Sequence, residues 1–286
     1  MQITRLLYLV FDVIRFLVKT AYYDNFINYV NKESKYQHQT LIILANGPSL
    51  NRDLNRMIKS EECRHNYFMT MNFMANDERF YNIMPLYHVI SDPMFFSIRA
   101  QVDKVDLFYK NINSRINWEM YLVIPYEFWK NREWRKKIYN SKIKFIPFHG
   151  QVPPRNSTIR NWFASKGVCG ASYGSVLHHA IYVGILLGFR KILLYGADHT
   201  FFDGLCVNEQ NQVCRKTTHF YEENVKIMPL YHYYTGEEKP YTMSFFLWEY
   251  ERIFRGHDVL RSLADYMNVE IINKTSGSMI DSYNRE

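Results

Sequence analysis

Residues 40–50 read TLIILANGPSL, and residues 170–198 read GASYGSVLHHAIYVGILLGFRKILLYGAD. The first is a short apolar run that ends abruptly in Asn46-Gly47-Pro48-Ser49. Such a run is a buried strand, a tight turn and the start of a helix, with Ser49 as the expected N-cap. The second is a Gly/Ser-rich turn, an apolar helix, and a strand with a polar carboxyl end. Strand, helix and strand in alternation imply a mostly parallel sheet with helices on both faces, an α/β fold.

Working outward, the same texture recurs. NYFMTMNF (66–73), LYHVISDP (86–93), MYLVIPY (120–126) and KIKFIPF (142–148) read as further strands. A Trp-rich helical stretch is expected from about 127 to 139. Gly150, Pro153, Pro154, Asn156 and Gly167 mark residues 149–170 as loop. From 199 to 241 the periodicity dissolves into an aromatic, polar segment that suits a lid. MSFFLWEYERIFRGHDVLRSLADYM (243–267) is helical by period, and NVEIINKTSGS (268–278) is a last strand and turn. The expected organisation is an N-terminal helix and linker over 1–38 and one ligand-binding domain over 39–286.

The N-terminal stretch ITRLLYLVFDVIRFLVKTAY (3–22) is amphipathic in an unusual way. At about 100° per residue, Arg5, Asp12, Arg15 and Lys19 fall in one narrow stripe, and the rest of the circumference is apolar. Four charges argue against a spanning helix, since each costs about 2.5–3.5 kcal/mol at mid-bilayer. No small-residue cleavage site follows, so a cleaved secretory signal is not expected. Two readings stay open: a helix in the membrane interface with its basic stripe toward the headgroups, or a terminal helix packed on the domain or on a second subunit.

The chain has 286 residues, with 35 Lys+Arg against 28 Asp+Glu and a net charge of +7. That excess suits an anionic substrate or a membrane surface. No block of five basic residues and no nucleic-acid motif occurs, so nucleic acid is not an expected partner. The four Cys at 63, 169, 206 and 214 contain no C-x-x-C pair, which excludes a zinc ribbon and suggests a reducing compartment. The expected location is therefore cytoplasmic, on the inner face of the cell membrane.

In open parallel sheets, ligands bind beyond the carboxyl ends of the strands. The polar groups at those ends are Asn46, Gly47, Ser49, Asn72, Asp92, Asp198, His199 and the 273–278 turn with Ser276. The first turn is neither G-x-G-x-x-G nor a Walker loop, but its glycine and following helix N-terminus are expected to offer free N–H groups to a phosphate. Asn72 and Asp92 can hydrogen-bond a base and a ribose. Gly170 and Ser172 precede the apolar helix, where His178 and His179 read as core groups. His219, in the lid segment, has the side chain suited to a general base near neutral pH. No Cys/His set has zinc spacing, and no D-x-D pair marks a metal-dependent transferase.

These residues resemble the bacterial lipooligosaccharide sialyltransferases. The likeness lies in NGPSL after the first strand, Asn at the end of the second, SDPMFF after the third, AIYVGILLGFRKILLYGAD, and Asn273-Lys274-Thr275-Ser276 after the last. It covers about residues 40–280 and is densest at NGPSL and 170–199. Pterin-diphosphokinase-like domains share the glycine turn and the helix–strand block. The resemblance implies a Rossmann-like domain with a mobile lid. It implies inverting transfer of sialic acid or a related nonulosonic acid from a CMP-linked donor to a glycan hydroxyl, in cell-surface polysaccharide or lipooligosaccharide synthesis. It also implies that no metal or cofactor takes part, and that copies assemble as homo-oligomers.

By position, Asn46 and Gly47 would hold the CMP phosphate and ribose, with Ser49, Asn72, Ser172, Asp198 and Ser276 also on the donor. Asp92 stands where the family has Asn. His219 matches the catalytic His. The first of the family's two phosphate-stabilising tyrosines is replaced here by Thr200, so Tyr221 or Tyr231 would substitute. Two other readings of the same residues stay open: an ATP- and Mg²⁺-dependent pyrophosphokinase with Asp92 and Asp198 as ligands, and a non-catalytic membrane-surface module.

Overall fold

The computed structural model describes residues 2–20, 36–57, 66–96, 103–150, 156–170, 174–217, 226–231 and 239–285. Its centre is a sheet of seven strands: β1 (Thr40–Leu44), β2 (Tyr67–Met71), β3 (Tyr87–Val89), β4 (Met120–Pro125), β5 (Ile143–Phe148), β6 (Lys191–Tyr195) and, last in the chain, Glu270–Asn273. Every neighbouring pair in this sheet is parallel. From β1 the chain moves outward through β2, β3 and β4 to β5, then returns to place β6 on the other side of β1. The boundary between β1 and β6 is therefore the topological switch point, the place where such sheets open a crevice for ligand.

The period-2 pattern of the strands divides two cores. Leu41 and Ile43 face one side, with Ala180, Ile181, Leu260 and Leu263. Ile42 and Leu44 face the other, with Leu54, Phe80, Phe108 and Ile112. The helices are α1 (Gln2–Thr20), α2 (Leu50–Met57), α3 (Glu78–Ile83), α4 (Asp103–Arg115), α5 (Tyr126–Trp129), α6 (Arg132–Arg135), α7 (Ser157–Ser165), α8 (Val176–Leu186) and α9 (Met243–Tyr266). Residues of α8 and α9 line the first core, and residues of α2, α3 and α4 line the second. The expected parallel α/β sheet covered on both faces is what the chain forms.

Several elements differ from the sequence reading. The stretch 127–139 is two single turns, α5 and α6, because Asn131 interrupts it and caps α6 from its own side chain. Residues 149–170 are not all loop: Asn156 accepts from the Ile159 N–H and starts α7. The lid segment is not featureless. Its described residues form an antiparallel sheet of β7 (Leu205–Val207), β8 (Val213–Thr217) and β9 (Lys226–Pro229). The last parallel strand, Glu270–Asn273, is β10. Phe202 packs on Phe246 and Phe254 of α9, and Arg215 donates to the Phe201 carbonyl, which ties this small sheet to α9.

Packing begins before residue 39. Tyr36 is buried, stacks on Phe189 at 4.4 Å, and shares a 2.8 Å hydrogen bond with Tyr87. In α1, Phe16 is buried against Phe163 of α7, with ring centroids 4.9 Å apart. Leu9, Asp12 and Val13 lie on that same, less exposed side. Leu6, Leu7, Val10, Phe11, Ile14 and Leu17 point outward and are 46–66% exposed. Asp12 of the charged stripe is on the packed flank, Arg15 is exposed, and part of the apolar arc faces away from the domain. No described helix is long and apolar enough to cross a membrane.

Candidate functional site

At the switch point the two loops close on each other. Asp198, at the carboxyl end of β6, is buried. It accepts the Ser49 hydroxyl at 2.7 Å and the Ser49 N–H at 3.2 Å. Gly47 donates its N–H to the Gly196 carbonyl at 2.9 Å. A Cβ at Gly47 would lie 1.9 Å from Asp198 Oδ2, so the absence of a side chain serves this internal contact.

These facts correct one expectation. The Ser49 hydroxyl, at the head of α2, is drawn to Asp198. The turn does not present free N–H groups: those of Leu50, Asn51, Arg52 and Asp53 all bond carbonyls within residues 47–49. A carboxylate beside Gly47 also opposes a phosphate at that spot.

The rim at β1 and β2 is different. Asn46 is exposed and donates to the Met71 carbonyl at 3.1 Å. Asn72 follows β2 with φ +48°, a left-handed conformation uncommon outside glycine. Its carbonyl accepts from His88 Nε2 at 3.0 Å, and the Thr70 hydroxyl meets His88 Nδ1 at 2.7 Å. Burial drives the His88 pKa down to about 3, so the ring is neutral and acts as a fixed prop under Asn72. Asn72 Oδ1 is buried and has no hydrogen-bond partner among the described residues. A buried carbonyl left without a donor is costly.

Asp92 accepts from the Met94 N–H at 3.0 Å and caps the short 3₁₀ turn Pro93–Phe95. Ser276 is exposed. Its neighbours, which the sequence marked only as part of the 273–278 turn, hold the end of β6. Thr275 Oγ1 accepts from the Ala197 N–H at 2.9 Å, and the Ser278 hydroxyl donates to the Ala197 carbonyl at 2.6 Å. Their offsets from Asn273 carried no motif that would have distinguished them from Ser276. Ser172, His219 and Tyr221 lie outside the described residues. Tyr231 is half-buried at the end of the lid sheet and bridges to Pro240.

A group of histidines at the same carboxyl edge was also missed as a unit. His199 has φ +49°. Its Nδ1 lies 3.2 Å from His257 Nε2, and His257 Nδ1 lies 3.0 Å from the Tyr283 hydroxyl. The His178 ring stands edge-on to His257 at 4.3 Å. Burial lowers the pKa of His199 to about 4, and that of His257 well below the usual value, with neighbouring His178 and His199 adding to the effect. The residues come from the loop after β6, from α8, from α9 and from the C-terminal segment, separations at which no sequence motif could signal them. Among the described residues no cluster of three or more His, Cys, Asp or Glu is arranged to hold a metal ion.

No family model matches the chain, and no curated protein matches it by sequence. Among solved structures, the MAf glycosyltransferase from Magnetospirillum magneticum AMB-1 is similar over 89% of this chain and 34% of its own length, with a TM-score of 0.48 and 13% identity. The chain thus spans about a third of that protein.

Proposed function

We propose that the protein is an inverting glycosyltransferase that takes a sugar from a nucleotide-activated donor to a glycan hydroxyl. The donor we infer is a CMP-linked sialic or related nonulosonic acid, and the acceptor a cell-surface polysaccharide or lipooligosaccharide. The observation that carries this reading is the Asn46–Asn72 rim, where the buried, unpartnered Asn72 Oδ1 awaits a donor from a nucleotide or sugar. A neutral carboxamide rim suits the hydroxyl and amino groups of a ribose, a base or a sugar. The donor set is Asn46, Asn72 and Asp92, with Ser172 at the start of the α8 region. His219 would take the acceptor proton and Tyr221 would assist the leaving phosphate. The lid would exclude water that otherwise hydrolyses the donor.

The transfer requires no metal in this reading. Asp92 and Asp198, the carboxylates that a Mg²⁺-dependent pyrophosphokinase would use, are engaged as a turn cap and as the clamp on Ser49. The outward apolar face of α1 would lie in the inner membrane interface, bringing the domain to a lipid-linked acceptor.

A thermal-shift panel tests the whole reading. CMP at 100 times its Kd should stabilise the folded chain by about 2.7 kcal/mol, and EDTA should change nothing. Stabilisation by ATP with Mg²⁺ alone would favour the pyrophosphokinase, and no shift with any nucleotide would favour the non-catalytic module. Flotation with anionic vesicles tests the membrane face: the wild-type chain should float, and the triple variant Leu7→Glu, Phe11→Glu, Ile14→Glu should not.

A further inference from the structure

Three observations converge on His199. It sits one residue beyond Asp198, at the carboxyl edge where β6 meets the switch point. Its backbone is held left-handed at φ +49°, a conformation that costs free energy and persists only when the surroundings impose it. Its ring is the end of a chain that runs through His257 to the buried Tyr283.

The chemistry of that chain favours one direction. A phenol O–H is far more acidic than the N–H of a neutral imidazole, so Tyr283 donates to His257 Nδ1. His257 then carries its proton on Nε2 and donates it to His199 Nδ1. With Nδ1 filled as an acceptor, neutral His199 must carry its own proton on Nε2. The relay thus presents a fixed N–H donor outside the chain. The phosphate seat expected at the start of α2 is closed by Asp198 and has no free N–H groups. That turn therefore offers no N–H donor to a leaving phosphate.

We propose that His199 is a catalytic residue that donates its Nε2–H to the leaving phosphate of the nucleotide donor, and that His257 and Tyr283 are positioning residues that set its tautomer. As the acceptor oxygen bonds to the anomeric carbon, the sugar–phosphate bond breaks and its electron pair passes to the phosphate oxygen. His199 stabilises that oxygen by hydrogen bonding and keeps its proton. Burial keeps the ring neutral at physiological pH, and a neutral imidazole is a competent donor in such sites. The inference rests on the nucleotide-sugar reading for the identity of the phosphate.

The test has two arms on the full chain. In ¹⁵N-histidine-labelled protein, long-range ¹H–¹⁵N correlation spectra should show His199 and His257 protonated on Nε2, and Tyr283→Phe should release that preference. A proton on Nδ1 of His199 overturns the proposal. In turnover, His199→Ala should lower kcat by about 10²-fold with little change in the donor KM, the loss usual for one such donor. His199→Gln, which keeps a side-chain N–H, should recover about 10-fold of it. Equal loss in the Ala and Gln variants, both retaining wild-type thermal unfolding, overturns the donor role, and so does an undiminished Ala variant. If CMP neither binds nor supports transfer, the sugar-transfer reading fails by itself. Inorganic pyrophosphate then serves as the probe: a shift of the His199 Nε2 resonance sustains the proposal, and no shift overturns it.

Discussion

The two halves of the carboxyl edge are built on different principles. At the end of β6 the hydrogen-bonding groups of Asp198, Ala197, Thr275 and Ser278 are matched inside the protein. At the end of β2, Asn72 is propped from below by His88 yet keeps an unpartnered oxygen. The first half is a clamp that joins β1, β6 and the C-terminal turn. The second has hydrogen-bonding capacity to spare, which is what a ligand needs. Polar strand ends look alike in a sequence, and only their partners tell which groups are matched inside the protein and which are not.

Acid should break both halves, and it is the largest effect expected. Burial pushes His88 down to about 3 and His199 and His179 down to about 4, all below the value of about 6.5 in an unfolded chain. Above pH 6.5 both states are neutral and nothing is gained or lost. Below it, the unfolded chain binds protons that the folded chain refuses, so stability falls as pH drops toward the folded pKa values. Each histidine removes up to about 1.4 kcal/mol per pH unit across that window. Thermal unfolding scans at pH 7, 6, 5 and 4 should show a steepening loss, and a level Tm to pH 4.5 would contradict this burial.

Gly47→Ala attacks the clamp alone. Its Cβ would meet the Gly196 carbonyl, which is backbone, and the Asp198 carboxylate, which Ser49 holds in place. The expected cost is about 3 kcal/mol, the upper end for overpacking a tight site. Urea denaturation measures it. Asn72→Gly attacks the receptor half. Glycine accepts the left-handed backbone, so the fold should persist with a stability change under about 1 kcal/mol. Nucleotide affinity should fall about 10-fold, as one hydrogen bond to the ligand is lost. Titration of CMP by calorimetry separates the two numbers, and unchanged affinity would remove Asn72 from the receptor.

Much of this fold was legible from period and punctuation. Apolar runs ended by Asn, Asp or Gly gave the strands, and their alternation with helices gave the parallel sheet. The lid sheet was not legible, because β7, β8 and β9 are only three to five residues long, too short for an alternation to stand out. Of the site, the strand-end residues were legible as a set, but their roles were not. Asp198 could be read as a ligand group equally well as a clamp until Ser49 was seen across 149 positions of sequence. His199, His257 and Tyr283 are joined only by the packing of α9 and the C-terminal segment against β6, which leaves no local trace.

The smallest effect expected isolates that lesson within one turn. Ser276 and Ser278 lie two residues apart after β10, and sequence reasoning chose the former. Ser276 is exposed, so Ser276→Ala should change stability by less than about 0.5 kcal/mol. Ser278 donates to the Ala197 carbonyl and accepts from Asn273 Nδ2 and the Ile280 N–H, all buried. Its removal strands a carbonyl and two donors at the base of the clamp, so Ser278→Ala should cost about 1–3 kcal/mol. Since Ala197 lies between the strand and Asp198, slackening there should also move His199. Equal stability of the two variants would mean that the clamp does not depend on this turn. A drop in Ser278→Ala accompanied by loss of the His199 tautomer preference would tie the clamp directly to the relay.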